Sequence, residues 1–357
     1  MLKIGLVDIE TTHAWIYAQY LKATGDALIS TITDMGNVWQ PKEIKRFAEA
    51  LGGVNICKSP EGMVGMVDGV MLLGTNYDMR LERAKPFLEA KIPIFFDKPA
   101  VGKISDLKIL KKWVDSGARI MCGSSLPYCD ELRIIYSRVT SGPPCSLYII
   151  GCKEFFEHGI HAADIAMALS KAEPIEVIWG IFGGCDMLWV RTSSYTDIAL
   201  QLGANGADWI VSATNGEGSS CVHLDLSHYR ESHYAHLTKA FLDMVRTGRV
   251  IYSPNLHLDA IRLLIAGKKA KEKNKNVLIS SLDDEDGFNG KAYSRRYAQM
   301  SVNFQNMLQP SLKDMMKKKK VGKRRNLFRH LEMRVSSLPL PAVIRKPLRF
   351  IKYHLIK

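Results

Sequence analysis

The 357-residue chain has no CxxC pair, no apolar run long enough to span a bilayer, and no excess of either charge over residues 1–310. The seven cysteines, at positions 57, 122, 129, 145, 152, 185 and 221, are scattered and odd in number. That pattern points to reduced, mostly buried thiols in a cytoplasmic protein and argues against a zinc site. Met1 leads straight into the strand-like Leu2-Lys3-Ile4-Gly5-Leu6-Val7, so no signal peptide and no membrane span are expected. The net charge of +13 is confined to one end: residues 311–357 hold fifteen Lys/Arg against two Asp/Glu. The body is neutral, and the basic balance gives no argument for a nucleic-acid-binding body.

With 46% apolar and 24% charged residues the composition is that of an ordinary globular protein, and the length suggests two domains. From Met1 to about Ser125, short β-type runs alternate with helix-period segments. Strands are expected at 4–7, 27–33, 54–57, 69–73, 93–96 and 119–122, with helices between them. Such alternation means βαβ units and an α/β, Rossmann-like, doubly wound parallel sheet. Asp8, Asp34, Gly74-Thr75-Asn76 and Asp97-Lys98-Pro99 fall at the carboxyl ends of these strands, where such sheets bind ligands.

Beyond Leu126 the pattern changes to strand-like runs at 146–152, 175–182, 187–191, 197–202, 209–213 and 220–226. The turns Gly203-Ala204-Asn205-Gly206 and Asn215-Gly216-Glu217-Gly218 read as antiparallel hairpins. Helices are expected over 234–247 and 257–272. The expected organisation is a dinucleotide-type domain over 1–125, an α+β domain with a largely antiparallel sheet over 126–295, and a basic extension over 296–357. The second sheet can cover a cleft or pair with another subunit.

The densest chemistry lies in Phe155-Phe156-Glu157-His158-Gly159-Ile160-His161-Ala162-Ala163-Asp164, two imidazoles and two carboxylates within eight residues. If a helix begins near Gly159, His161 sits in its first turn, and Ile165, Ala168 and Leu169 place His161 on the buried face. A buried His beside a carboxylate is a proton-transfer pair, since burial lowers the imidazole pKa and the carboxylate raises it. The other reading is a core histidine satisfied by Glu157. His223, His228, His233 and His236 invite a metal reading, but no Cys or carboxylate set completes a site, and no metal is expected.

Four features in this order resemble the Gfo/Idh/MocA oxidoreductases over about Met1 to Ser281. They are the N-terminal dinucleotide-type domain, Asp97-Lys98-Pro99 in place of Glu-Lys-Pro, Glu157 to Asp164 in place of Asp-x-Gly-x-His-x-x-Asp, and a helix-rich return. The resemblance implies that Lys98 hydrogen-bonds the reacting oxygen and positions a nicotinamide, and that His161 is the acid/base on the substrate hydroxyl. Glu157 takes the place of an Asp that orients the His or grips a neighbouring hydroxyl. Asp97 and Pro99 flank Lys98, and Gly74-Thr75-Asn76 resembles the loop near the nicotinamide ribose. Asp34 is placed to accept from an adenosine ribose, which leans towards NAD over NADP. The chain departs at the phosphate loop, where Asp8-Ile9-Glu10-Thr11-Thr12-His13-Ala14 is about three residues shorter than the family's and has no glycine. Thr11, Thr12, His13 and the helix amides are left to cradle a phosphate, and an acid at position 8 repels one unless it points away. Met79 stands where the family commonly has His.

The resemblance implies an NAD-dependent oxidoreductase acting on a hydroxyl or ketone of a sugar, cyclitol or nucleotide-linked sugar. A homo-oligomer formed through the second sheet goes with it. The competing reading is a cofactor-poor binding or scaffold protein that docks through its tail. Residues 315–325 form a basic cluster, and 341–357 carry Ile344, Leu348, Ile351 and Leu355 at helical spacing with a basic face. Such a tail suits an anionic membrane surface, here the inner face, or a protein partner. RNA binding lacks an aromatic stacking platform.

Overall fold

The apolar runs of the first 123 residues form six strands, β1 (Leu2–Val7), β2 (Ala27–Thr33), β3 (Asn55–Ile56), β4 (Gly69–Leu72), β5 (Ile94–Asp97) and β6 (Ile120–Gly123). Between them run the helices α1 (Thr12–Ala23), α2 (Pro41–Ala50), α3 (Arg80–Glu89) and α4 (Ile104–Asp115). The computed structural model describes residues 1–300 apart from 37, 141–144, 195, 205–208, 225 and 227–231. Residues Met1–Tyr293 form one compact unit, which holds everything considered below, and Ser294–Lys357 belong to another. The expected tail elements at 315–325 and 341–357, and His228, lie outside the described residues.

All pairings in the first sheet are parallel, in the order β3-β2-β1-β4-β5-β6. The order reverses at β1/β4, and this is where a doubly wound sheet opens a crevice at its carboxyl edge. Both faces are buried, so these strands read as continuous apolar runs. Ile4, Leu6, Met71 and Phe95 point to one core with Tyr17 and Leu21 of α1. Val7, Val70, Leu72, Ile94 and Phe96 point to the other with Phe87 of α3 and Leu110 of α4.

The chain then forms α5 (Arg133–Thr140), β7 (Cys145–Cys152), α6 (Gly159–Ser170), β8 (Pro174–Phe182), β9 (Cys185–Thr192), β10 (Thr196–Ala204), β11 (Trp209–Asn215) and β12 (Gly218–Leu224). The helices α7 (Ser232–Thr247) and α8 (Pro254–Lys273) and the short β13 (Val277–Leu278) follow. The second sheet runs β12-β11-β7-β10-β9-β8-β13. It is antiparallel except where β10 lies parallel to β7.

That exception corrects one expectation. The hairpin read across Gly203–Gly206 does not form, because β7 lies between β10 and β11. As an interior strand, β7 buries Leu147 and Ile149. Asn215–Gly218 does close a hairpin, joining β11 to β12.

Helix α6 begins where the sequence places it, at Gly159, but it is not buried on one face only. Ten of its twelve residues are buried, packed against the second sheet and α8, while His161 stays half-buried. Alanine at 162, 163, 166 and 168 allows this close packing on all sides. Among the described residues no helix is long and apolar enough to cross a membrane.

Candidate active site

Strand β5 delivers Asp97 to the carboxyl edge of the first sheet, and the chain turns there through a cis Lys98–Pro99 peptide. The buried guanidinium of Arg80, at the start of α3, donates to the carbonyls of Asp97, Pro99 and Gly74. One side chain thus ties the Lys98 turn to the loop after β4. From that turn the Lys98 ammonium donates to the Glu157 carbonyl at 2.9 Å, just ahead of α6. Desolvation pushes the Lys98 pKa below the usual lysine range, against the opposing pull of Asp97 and Glu157.

Asp97 is held from the other side by α1. Its Oδ2 lies 2.6 Å from His13 Nδ1, and the far nitrogen of that ring meets the Tyr234 hydroxyl of α7 at 3.1 Å. Burial alone would push the Asp97 carboxyl up. His13, Arg80 and Lys98 outweigh it and hold the group below the ordinary carboxylate range. Asp97 is therefore an anion inside the fold, faced by the His13 ring and by the cations Arg80 and Lys98.

His161, in the first turn of α6, has Nδ1 at 2.5 Å from the Ser124 hydroxyl and its ring edge-on to Trp209. Ser124 follows β6, and its N–H donates to Asp164 Oδ2 at 2.7 Å. Asp164 lies one turn along α6 from His161, and its Oδ1 is 2.6 Å from Nδ1 of the buried His257 on α8. The Ala100 N–H donates to Nε2 of the same ring at 3.0 Å, which puts the ring proton on Nδ1, facing Asp164. The residue after Lys98-Pro99 and the helix that carries His161 are thus anchored on one buried ion-pair-like contact. Gly123, with φ at +115°, is required beside it, since a Cβ there would lie 3.2 Å from the His257 ring and 3.3 Å from Asp164. His158, the other imidazole of the stretch, is driven down to about 4 by burial, despite its hydrogen bond to the Glu154 carboxylate, and is neutral.

The crevice between the ends of β2 and β4 is lined by carboxylates. Asp8 has φ at +59°, pairs with the Arg83 guanidinium and accepts from the Met35 N–H at 3.0 Å. Burial still pushes its carboxyl up. Asp34 accepts from the N–H groups of Ile9 and Gly36, each at 3.0 Å, and burial next to Asp8 and Glu10 raises it to about 7. Glu10 reaches across to the loop after β4, where its Oε2 accepts from the Thr75 N–H at 2.6 Å and the Thr75 hydroxyl at 2.8 Å. The Oδ1 atom of Asn76, next to it, is buried with no hydrogen-bond partner. Thr11 caps α1 by accepting from the His13 N–H, and Thr12 is exposed at the helix start.

The residues singled out in the sequence therefore fall into two groups. Asp97, Lys98, Pro99, His13, Glu157 and His161 gather around the Lys98 turn and the head of α6. Asp34, Gly74, Thr75 and Asn76 line the crevice beside Glu10. Four participants carried no assigned role in the sequence: Arg80, Ser124, Asp164 and His257. Asp164 closes the eight-residue motif and was visible there. His257 sits in an ordinary amphipathic helix, with no local signal of its contact 93 residues away. Among the described residues no group of three or more His, Cys, Asp or Glu is disposed to hold a metal ion.

No family model matches the chain, and no curated protein does. Solved structures do. The scyllo-inositol dehydrogenase from Lactobacillus casei, with bound NAD(H) and scyllo-inositol, superposes with a TM-score of 0.67 at 15% identity, covering 79% of this chain and 100% of that one. A myo-inositol dehydrogenase from Corynebacterium glutamicum gives 0.65 at 18% identity, over 78% and 98% of the two chains. GenD2 from gentamicin A biosynthesis, in complex with NAD, gives 0.66 at 13% identity, over 78% and 96%. The chain shares the fold of these dehydrogenases.

Proposed function

We propose that this chain is an oxidoreductase that exchanges hydride between a nicotinamide dinucleotide, NAD in preference to NADP, and a hydroxyl or keto group of a polyol, cyclitol or sugar. The reading is carried by the Lys98 ammonium bonded to the Glu157 carbonyl, so that a cation stands at the same end of α6 as the imidazole of His161. The NAD(H) and scyllo-inositol held by the Lactobacillus casei enzyme, and the NAD held by GenD2, support the cofactor and the substrate class.

The residues of the crevice suit a dinucleotide on two counts. The buried, unpartnered Oδ1 of Asn76 is an acceptor for a ribose hydroxyl. Two donors of Thr75 converge on one oxygen of Glu10, an anion-binding pair in which the carboxylate stands in for a phosphate oxygen. Thr11 and Thr12 at the head of α1 are assigned to the phosphate side and Asp34 to the adenosine side, while the His13 ring, expected on the phosphate side, is engaged by Asp97 and Tyr234.

His161 takes the proton of the substrate hydroxyl. Ser124 engages Nδ1 and orients the ring, and Nε2 is the nitrogen assigned to that proton. Lys98, already partly desolvated, stabilises the negative charge that develops on the oxygen. Glu157 holds Lys98 in place through its carbonyl and adds a carboxylate beside the ammonium. When bound, the nicotinamide supplies the hydride acceptor. Exposed Ile181, Phe182 and Trp189 on the second sheet support that sheet as a subunit interface.

The test is a titration with NADH followed by a screen of cyclitols and sugars for NAD reduction. Binding with turnover of a polyol is the expected result. No dinucleotide binding by either the wild type or variants of the phosphate loop returns the chain to the scaffold reading.

A further inference from the structure

We propose that Glu10 is a self-ligand of the nucleotide crevice: its carboxylate holds the Thr75 amide and hydroxyl that a dinucleotide phosphate takes up, and the dinucleotide binds by displacing it. The proposal rests on the reading of the crevice as a dinucleotide site.

Three observations carry it. The first is the hydrogen bonding. Glu10 is 1% exposed, yet its Oε2 is reached by two donors from one residue, the N–H at 2.6 Å and the hydroxyl at 2.8 Å. Donors converging on a single oxygen at the carboxyl end of a central parallel strand are what an anion seeks in this fold. Here a side chain from the preceding loop has found them.

The second is the span of the side chain. A Cβ on Gly36 would fall 1.6 Å from Glu10 Oε1 and 2.2 Å from its Cδ. The carboxylate therefore touches the loop after β2 with one oxygen and the loop after β4 with the other. It lies across the end of β1, where the crevice of a doubly wound sheet carries its ligand. Phosphate and Glu10 cannot hold Thr75 together.

The third is charge. Asp8 and Glu10 both push the Asp34 carboxyl up, Glu10 pushes up that of Asp8 as well, and the Arg83 guanidinium pairs with Asp8. Arg80 also faces the loop, with its two terminal nitrogens donating to three carbonyls. Leaving the cluster relieves Glu10 of that repulsion. The incoming phosphate gains the head of α1, a twelve-residue helix with no acidic residue in its first turn. A shortened loop without glycine thus stays compatible with a dinucleotide, at the expense of affinity.

The experiment is calorimetric titration of the full chain with NADH, ADP-ribose and adenosine, on wild type, Glu10→Ala and Glu10→Gln, with thermal melting as the control for folding. Glu10→Ala is expected to bind NADH and ADP-ribose about tenfold tighter than wild type, a gain of about 1.4 kcal/mol. Adenosine, which has no phosphate, is expected to bind both equally. Glu10→Gln keeps an acceptor for Thr75 and loses only the charge, so it is expected between the two and serves if the alanine variant does not fold. A wild type that is silent beside a binding Glu10→Ala also upholds the proposal. Binding by the wild type that is unchanged or weakened in both variants overturns Glu10 as competitor and leaves the oxidoreductase reading intact. Absence of binding in all three overturns both.

Discussion

His257 Nδ1 lies 2.6 Å from Asp164 Oδ1, with both side chains at most 5% exposed. The contact links α8 to α6 across 93 residues of chain. Through the Ala100 N–H on one side and the Ser124 N–H on the other, it sets the Lys98 turn against the helix that bears His161.

His257→Leu leaves a buried carboxylate without its partner and the Ala100 N–H without an acceptor. A loss of about 3–5 kcal/mol is expected, read by chemical denaturation. Asp164→Asn keeps a polar group of the same shape and is expected to cost about 1–3 kcal/mol. A loss below about 1 kcal/mol in the leucine variant would mean the pair does not hold α6 and the Lys98 turn together.

Lys98→Met and His161→Ala are expected to fold normally and to lose turnover of a cyclitol or sugar by roughly 100-fold or more. Melting curves and steady-state rates with NAD check the two halves of the expectation. Near-normal turnover in either variant removes that residue from its role.

Burial beside Asp8 and Glu10 raises Asp34 to about 7 from an ordinary 3.8. Between those values the folded chain binds a proton that the unfolded chain has released, so this group's contribution to stability falls as pH rises from about 4 to about 7. Asp34→Asn does not titrate. Its stability relative to wild type is expected to climb through that window, by at most about 1.4 kcal/mol per pH unit, and to level off outside it. Denaturation at pH 4, 5.5, 7 and 8.5 is the measurement, and a flat difference across the window contradicts the assignment.

Gly36→Ala pushes a methyl group into the Glu10 carboxylate, which has to give up Thr75 to move. Overpacking of this kind is expected to cost about 1–3 kcal/mol. In the Glu10→Ala background those contacts are gone, and most of the cost is expected to disappear. The double-mutant cycle measures the coupling directly, and additive effects would place Glu10 away from Gly36.

Much of the fold was legible in the sequence because its signals are local. Strand runs such as Gly69–Leu72, helix starts such as Thr11 and Gly159, and the polar residues that follow each parallel strand depend on neighbours a few positions away. The alternation of strand and helix was enough to require a parallel sheet. The pairing of β10 with β7, in place of a hairpin with β11, was not legible, because it depends on which strand gains most from being central.

The site divides in the same way. By itself the sequence determined that Lys98 follows a strand end, that His161 opens a buried helix, and that the loop after the first strand carries acids and no glycine. Only the tertiary structure decided where those groups point. Asp8 turns to Arg83, Glu10 crosses to Thr75, and Asp164 waits on a histidine from α8. Each is a choice among partners 65 or more residues away. A buried carboxylate needs a donor close by, and packing, not spacing along the chain, determines which donor that is.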